Sequence, residues 1–211
     1  MRKIIALSGF KGSGKDTVGD LLKTYHGFQT TSFAKPLKQA LCAMFGWEPS
    51  MLDGKTQESR AWREQPDVFW SRKFKRQITP RMIMQEFGTE IVRGQMLDQF
   101  WIASTQKEIQ SHPNKNIAVT DARFVNELDM IKSLGGITVR IKRGDDPDWF
   151  DKMETINGNS PLIKQLRLMF NPQLKKIHSS ERDWIGYKFD FVIDNDSDIH
   201  DLHRQVRQLL N

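Results

Sequence analysis

Apolar residues are laid along this chain in two alternating rhythms. Short apolar runs occur at 3–8, 116–121 and 137–141, with a shorter, more polar strand candidate at 29–33 and a last one at 188–193. Runs of that length, ended by glycine or polar residues, predict strands buried in a parallel sheet. Between them the apolar positions recur at helical spacing. Val18 to Leu22 lie within 15–26, and Leu37, Leu41 and Met44 share a face within 34–45. Met82, Ile83 and Phe87 follow Pro80, a further pattern runs from about Asp98 to Gln110, and Leu128 and Ile131 lie within 124–134. Ile199, Leu202, Val206, Leu209 and Leu210 give the tail from Asp198 a helical face that should pack on the sheet. Strand–helix alternation of this kind predicts an α/β fold, a doubly wound three-layer α/β/α arrangement.

Local punctuation sharpens the boundaries. Pro36 falls in a first helical turn, where a missing N–H costs little, and Thr79-Pro80 reads as an N-cap followed by the first helical residue. Gly88-Thr89-Glu90 is expected to end that helix, and Gly135-Gly136 to cap the later one. Residues 46–78 are the least regular: polar, and rich in tryptophan and arginine (Trp47, Trp62, Trp70, Arg60, Arg63, Arg72, Arg76). They read as an inserted, mobile subdomain. Residues 144–178 carry Pro147, Pro161, Pro172 and Asn157-Gly-Asn159, the profile of a long loop or lid. The expectation is one domain over 1–211 with these two segments added to it.

Composition narrows the class. With 211 residues, 38% hydrophobic and 27% charged, the chain can bury a sizeable core. No apolar run approaches the roughly 20 residues of a transmembrane helix, and the N-terminal run is too short for a signal peptide. The single cysteine, Cys42, excludes an internal disulfide, fits a reducing cytoplasm, and sits in an apolar helical pattern where packing is its expected role. The net charge of +6 fits nucleic acid, or a cleft for two polyphosphate-bearing ligands. Its basic clusters, Arg72 to Arg76 and Lys164 to Lys176, are equally explained as solvated faces.

The candidate chemistry begins at Leu7-Ser-Gly-Phe-Lys-Gly-Ser-Gly-Lys-Asp-Thr17. Gly9-x4-Gly14-Lys15, between a strand and a helix, has the spacing of a phosphate-binding P-loop. Glycines let consecutive N–H groups face one anion, the helix adds the positive end of its dipole, and Lys15 reaches the outer phosphates. Asp16 stands where Ser or Thr is usual. A carboxylate is a hard ligand for Mg2+, directly or through water, and Thr17 can hydrogen-bond a phosphate oxygen. The bland alternative is a glycine-rich turn that binds nothing. Further on, Asp121 closes a strand, and ligands of open α/β sheets sit at the carboxyl ends of strands, so Asp121 and Arg123 are expected at the site mouth. Lys35 and Lys38 lie near a helix N-terminus, unfavourable for cations, which points to an anion opposite them.

These stretches together resemble phage deoxynucleoside monophosphate kinases, within the P-loop nucleoside-monophosphate-kinase group. The resemblance rests on the P-loop with its Gly-Lys-Asp-Thr ending; Phe33-Ala-x-Pro-Leu-Lys38; Pro80-Arg81 through Gln85 to Gly88-Thr89-Glu90; and Thr120-Asp121-x-Arg123-x-x-Asn126-Glu127 with Gly135-Gly136. His178-Ser-Ser-Glu181 and Asn195-Asp-Ser197 add a weaker match. The resemblance implies transfer of the ATP γ-phosphoryl to a deoxynucleoside 5'-monophosphate (dNMP), with Mg2+, in the cytoplasm, the host's if the chain is phage-encoded. It implies an ATP site of Lys11, Gly12, Gly14, Lys15, Asp16 and Thr17, and a monophosphate site of Phe33, Lys38, Arg81, Gln85, Trp101, Asp121, Arg123 and Glu127. Residues 46–78 would serve the monophosphate and 144–178 would be the lid. Lys15, Arg81, Arg123 and Arg143 would supply catalytic charge, Arg143 bridging donor and acceptor.

Other readings stay open on the residues alone. Trp101 suits a core as well as a base platform, Arg81 and Glu127 suit a surface ion pair, and Asp121 suits a helix cap. His178 is expected to be structural. The same P-loop serves kinases of dephospho-coenzyme A or phosphomevalonate, and a nucleic-acid-binding P-loop module is a rival from another class, though the convergent polar residues argue against it. No membrane partner is expected, and homodimerisation is open.

Overall fold

The computed structural model describes residues 2–97 and 99–210. It divides into two compact units: the residues up to Thr31 together with those from Pro113 on, and Ser32–His112.

The first unit is built on a five-stranded, all-parallel sheet, in the order β2-β3-β1-β4-β5. The strands are β1 (Ile4–Ser8), β2 (Gln29–Thr31), β3 (Ile117–Val119), β4 (Ile137–Lys142) and β5 (Phe191–Asp194). β1 is central. Its Ala6 is in register with Val119 of β3, and its Leu7 with Val139 of β4. Every residue of β1 is buried, as a strand covered on both faces must be.

Alternation sends Ile5 and Leu7 to one face. There they pack with Val18 and Leu22 of α1 (Lys15–His26) and with Leu202, Val206 and Leu209 of the C-terminal helix (Ile199–Leu210). Burying each such side chain contributes about 1.5–3 kcal/mol. Ile199, expected on that face, is half exposed: it stands in the first turn, ahead of the buried stripe. A helix over Val125–Ser133 packs against β1 and β4 with Leu128 and Ile131 buried, and Gly135 follows it with φ 72°. The stretch 144–178 is not a loop. It holds helices at Phe150–Asn157, Pro161–Met169 and Pro172–Lys176. Helices of five to nine residues show too few turns to declare a period, and two of the prolines that suggested a loop, Pro161 and Pro172, sit at helix starts instead.

The second unit is helical. α2 (Lys35–Phe45) has Pro36 in its first turn and ends at Gly46. Leu37 and Leu41 are buried, whereas Met44 is more than half exposed, one step off the stripe. The region 46–78 forms three short helices, Pro49–Asp53, Gln57–Glu64 and Val68–Phe74. Thr56 and Asp67 cap two of them. Asp67 also accepts the Trp47 indole N–H at 2.8 Å. Trp47 stacks on Phe45, with centroids 4.4 Å apart, in a core with Leu37, Leu41, Leu52, Ile78, Ile83 and Trp101. Cys42 packs half-buried at its edge.

Thr79 caps the helix at Pro80–Gln85, accepting the N–H of Met82 at 3.1 Å. Gly88-Thr89-Glu90 does not end it: the chain continues as a π-helix over Glu86–Met96. Gly88 is a packing glycine rather than a stop, because a Cβ there would lie 2.6 Å from Leu37 Cδ2. The next helix is seen at Phe100–Gln110; Asp98, its expected start, lies outside the described residues.

Candidate active site

Three adjacent strands deliver the chemistry of the first unit. The C-terminal ends of β1, β3 and β4 carry the P-loop, the Asp121–Arg123 turn and Arg143, the position at which an open parallel sheet binds its ligands. Leaving β1, the chain turns at Gly9 (φ 138°) and enters α1 from Gly14 (φ 100°). Both are left-handed, and both are crowded. A Cβ at Gly9 would collide with the carbonyl of Ile141, and one at Gly14 with the side-chain amide of Asn195. Only glycine meets both conditions. Asn195 donates that amide to Ser13 O at 2.9 Å, and its backbone N–H goes to Lys142 O at 2.8 Å. The loop after β5 is thereby tied to the P-loop and to β4.

Lys15 is only 8% exposed. Its ammonium donates to the carbonyls of Gly9 at 2.8 Å and Phe10 at 2.6 Å. Burial, reinforced by the nearby Arg123 charge, pushes its pKa down to about 8, while Glu181, Asp16 and Asp121 pull the other way. Four charged residues, from the P-loop helix, the 121–123 turn and Glu181, therefore act on Lys15 here. Asp16 and Thr17 are exposed in the first turn of α1, and Lys11 and Gly12 are exposed on the loop.

Arg123 is held at both ends. Its backbone N–H donates to Glu127 Oε2 at 2.7 Å, and its Nη1 pairs with Glu181 Oε1. The same Glu127 oxygen accepts the N–H of Phe124 at 3.2 Å, so this buried carboxylate caps the helix that begins at Val125. Asp121 is half-buried beside Ala122, whose N–H bonds Leu7 O at 3.1 Å.

Arg143 is exposed, lining a concavity of about 100 Å3 with Lys11, Gly12, Ser13 and Asp146. Beside it lies a feature hidden by strand alternation. The guanidinium of Arg140, within β4, is 4.7 Å from the centre of the Phe150 ring and 5.3 Å from that of Trp184, and it pairs with Asp146. Phe10 of the P-loop meets the same Trp184 edge-on at 4.9 Å. His178 caps a four-residue helix, Ser179–Arg182, and bonds Ser180 Oγ at 2.8 Å, the structural role expected of it.

The remaining predicted residues belong to the second unit. Arg81 pairs with Glu64 at 3.0 Å. Lys38 pairs with Asp53 at 3.1 Å and Lys35 with Glu108 at 2.5 Å, so each cation of that helix start does face an anion, a carboxylate of the protein. Gln85 is exposed. Phe33 is buried, and Trp101 is 6% exposed with its indole N–H on Gly88 O at 2.8 Å, a core position. Sequence reasoning gave no role to Arg140, Glu181 or Asn195. The last two lay inside stretches already noted, and Arg140 could have been found only as a charge at the centre of an apolar strand.

No helix among the described residues is long and apolar enough to cross a membrane. A protein of Acanthamoeba polyphaga mimivirus, assigned as a deoxynucleotide monophosphate kinase, is 35% identical over 153 residues, covering 66% of this chain and 74% of its own. Among solved structures, dephospho-CoA kinase from Campylobacter jejuni aligns at a TM-score of 0.46 with 13% identity (100% of this chain, 96% of that one). Shikimate kinase from Aquifex aeolicus aligns at 0.45 with 16% identity (98% and 95%). These two likenesses are distant and carry nothing about the acceptor. The sequence pattern of the deoxynucleotide monophosphate kinases matches residues 3–59 and 51–179, and the chain belongs to that family.

Proposed function

We propose that this protein transfers the γ-phosphoryl of ATP to a deoxynucleoside 5'-monophosphate, giving ADP and the diphosphate. The observation that carries the reading is the convergence on Lys15, within a P-loop, of Asp16 from the end of β1 and of Asp121 and Arg123 from the end of β3. Phosphoryl transfer needs positioning and charge stabilisation more than covalent chemistry, and this is a set of charges held in position.

In this reading Lys11, Gly12, Gly14, Lys15 and Thr17 take the ATP phosphates. Lys15 exchanges its bonds to Gly9 and Phe10 for phosphate oxygens, and the phosphates raise its pKa again, so it acts as an ammonium. Arg123 offers a forked donor to the acceptor phosphate, Arg81 is a second candidate for that part, and Arg143 bridges donor and acceptor. Phe33, Lys38, Gln85 and Trp101 are the further candidates for the monophosphate. Mg2+ fits the exposed carboxylate of Asp16, with Asp121 ordering its waters; when bound it would neutralise charge on the phosphates. The helices of 144–178 close as a lid and exclude water. The reaction belongs in a reducing cytoplasm.

The test is coupled ADP release with Mg-ATP and each of dGMP, dTMP, dCMP, dAMP and GMP, with Lys15→Ala as control. ADP that requires one of the deoxynucleotides and vanishes in the variant is expected. ADP release only with dephospho-coenzyme A would move the acceptor. Salt-sensitive DNA binding without ADP release would replace the kinase reading.

A further inference from the structure

We propose that Glu181 is a positioning residue, whose carboxylate holds the Arg123 guanidinium beside Lys15 until an acceptor phosphate takes that guanidinium over. The inference rests on the phosphoryl-transfer reading and assigns a part to a residue that reading leaves idle.

The geometry is a side chain fixed at its root and guided at its tip. The root is the Arg123 N–H on the buried Glu127 carboxylate. At the tip, Nη1 pairs with Glu181 Oε1 and lies 3.5 Å from the carbonyl of Ser180. One nitrogen is engaged, which leaves the other donors of the fork for a second anion. Both side chains are 29% exposed. An ion pair that open to water is weak, so it orients the arginine without resisting exchange for a phosphate dianion. A fully buried pair would orient equally well but would not let go.

Glu181 is itself anchored, which separates it from a chance surface contact. The four-residue helix that carries it, Ser179–Arg182, is fastened to the 144–178 segment in two places. Asp183 accepts Lys164 at 3.2 Å and Arg182 at 3.1 Å. Asn157 donates its amide to the carbonyls of Arg182 at 2.8 Å and Ile185 at 2.9 Å. A displacement of the helices at 150–157 or 161–169 is therefore passed to Glu181 and so to Arg123. The residue links lid position to the orientation of a phosphate-binding arginine.

The test is a double-mutant cycle of Glu181→Gln and Arg123→Gln, with Glu181→Asp as the conservative variant. Two readouts are used: steady-state kinetics, and the rate at which phenylglyoxal modifies Arg123, followed by mass spectrometry. Glu181→Gln is expected to lower kcat about tenfold with the KM for ATP within about twofold, and Glu181→Asp to recover most of it. In the Arg123→Gln background the same change should add nothing. Arg123 should be modified several-fold faster in Glu181→Gln than in the unaltered protein, with Glu181→Asp close to the unaltered rate; an unchanged rate in Glu181→Gln would overturn the proposal. Equal effects on kcat in both backgrounds would overturn the proposal, since Glu181 would then act without Arg123. If the unaltered protein releases no ADP with any monophosphate, the proposed reaction falls, while the Arg123 modification rate still decides whether Glu181 holds that guanidinium.

Discussion

The side-chain amide of Asn195 reaches across 182 residues of chain to the carbonyl of Ser13, at 2.9 Å. It lies where a Cβ on Gly14 would be, so the glycine and the asparagine are fitted to each other. Asn195→Ala should weaken ATP binding about tenfold, since a hydrogen bond of this kind contributes about 0.5–1.5 kcal/mol and the P-loop is left free to relax. Titration calorimetry with ATP checks this; unchanged affinity would mean that the P-loop keeps its shape alone.

Lys15 has a folded pKa of about 8, below the 10.5 usual for a lysine. Between those values the unfolded chain holds more protons than the folded one, so the contribution of Lys15 to stability rises as pH rises through that window. Below pH 8 its buried charge is a penalty. Lys15→Met should therefore be more stable than the unaltered protein at pH 7, with the advantage shrinking toward pH 10. Denaturant melts at the two pH values measure it. ATP affinity of the unaltered protein should fall as pH passes about 8, where the ammonium is lost, and that fall should be missing in the methionine variant.

Arg140 is clamped between Phe150 and Trp184 and paired with Asp146. Arg140→Gln removes the cation from two ring faces and strands a half-buried carboxylate, at a cost of about 2–4 kcal/mol. Because Phe10 rests on the same Trp184, the KM for ATP should rise as well. A thermal melt that does not move would show the clamp to be ornamental.

Trp101 spends its indole N–H on Gly88 within a buried core. Trp101→Phe keeps the apolar bulk and loses the bond, and should cost about 1–2 kcal/mol. If the tryptophan served only as a core residue, the monophosphate KM should stay within about twofold in that variant. A large rise in that KM with unchanged stability would make it a base platform.

The strands were legible as short runs ended by glycine or polar residues, and the long helices because each has a period long enough to count. Lys15–His26, for instance, falls where Val18 to Leu22 and the flanking glycines put it. The short helices at 49–74 and 150–176 were not, since five to nine residues declare no period, although the caps Thr56 and Asp67 were there to read. The π-helix was hidden for a different reason. Gly88 carries the signature of a stop, and what overrides it is a contact with Leu37, 51 positions earlier in the chain. In the candidate site, Lys15, Asp16, Asp121 and Arg123 follow from strand ends alone. The pairing of Arg123 with Glu181 does not, because nothing in the spacing of two residues 58 apart shows that their side chains meet.

The helical unit, Ser32–His112, is one unbroken stretch of chain, whereas the sheet unit is assembled from what precedes and follows it. That division sets an order of events during synthesis. β1 emerges from the ribosome first, yet both of its neighbours, β3 and β4, are made more than 100 residues later. The helical unit is complete in sequence before either partner exists. A nascent chain should thus hold the apolar strand Ile4–Leu7 unpaired while the helices of 35–110 form, and close the sheet only when the strand ending at Asp194 has been made. The P-loop, whose shape depends on Asn195 just beyond that strand, can be finished only after a residue 182 positions beyond Ser13 has been made.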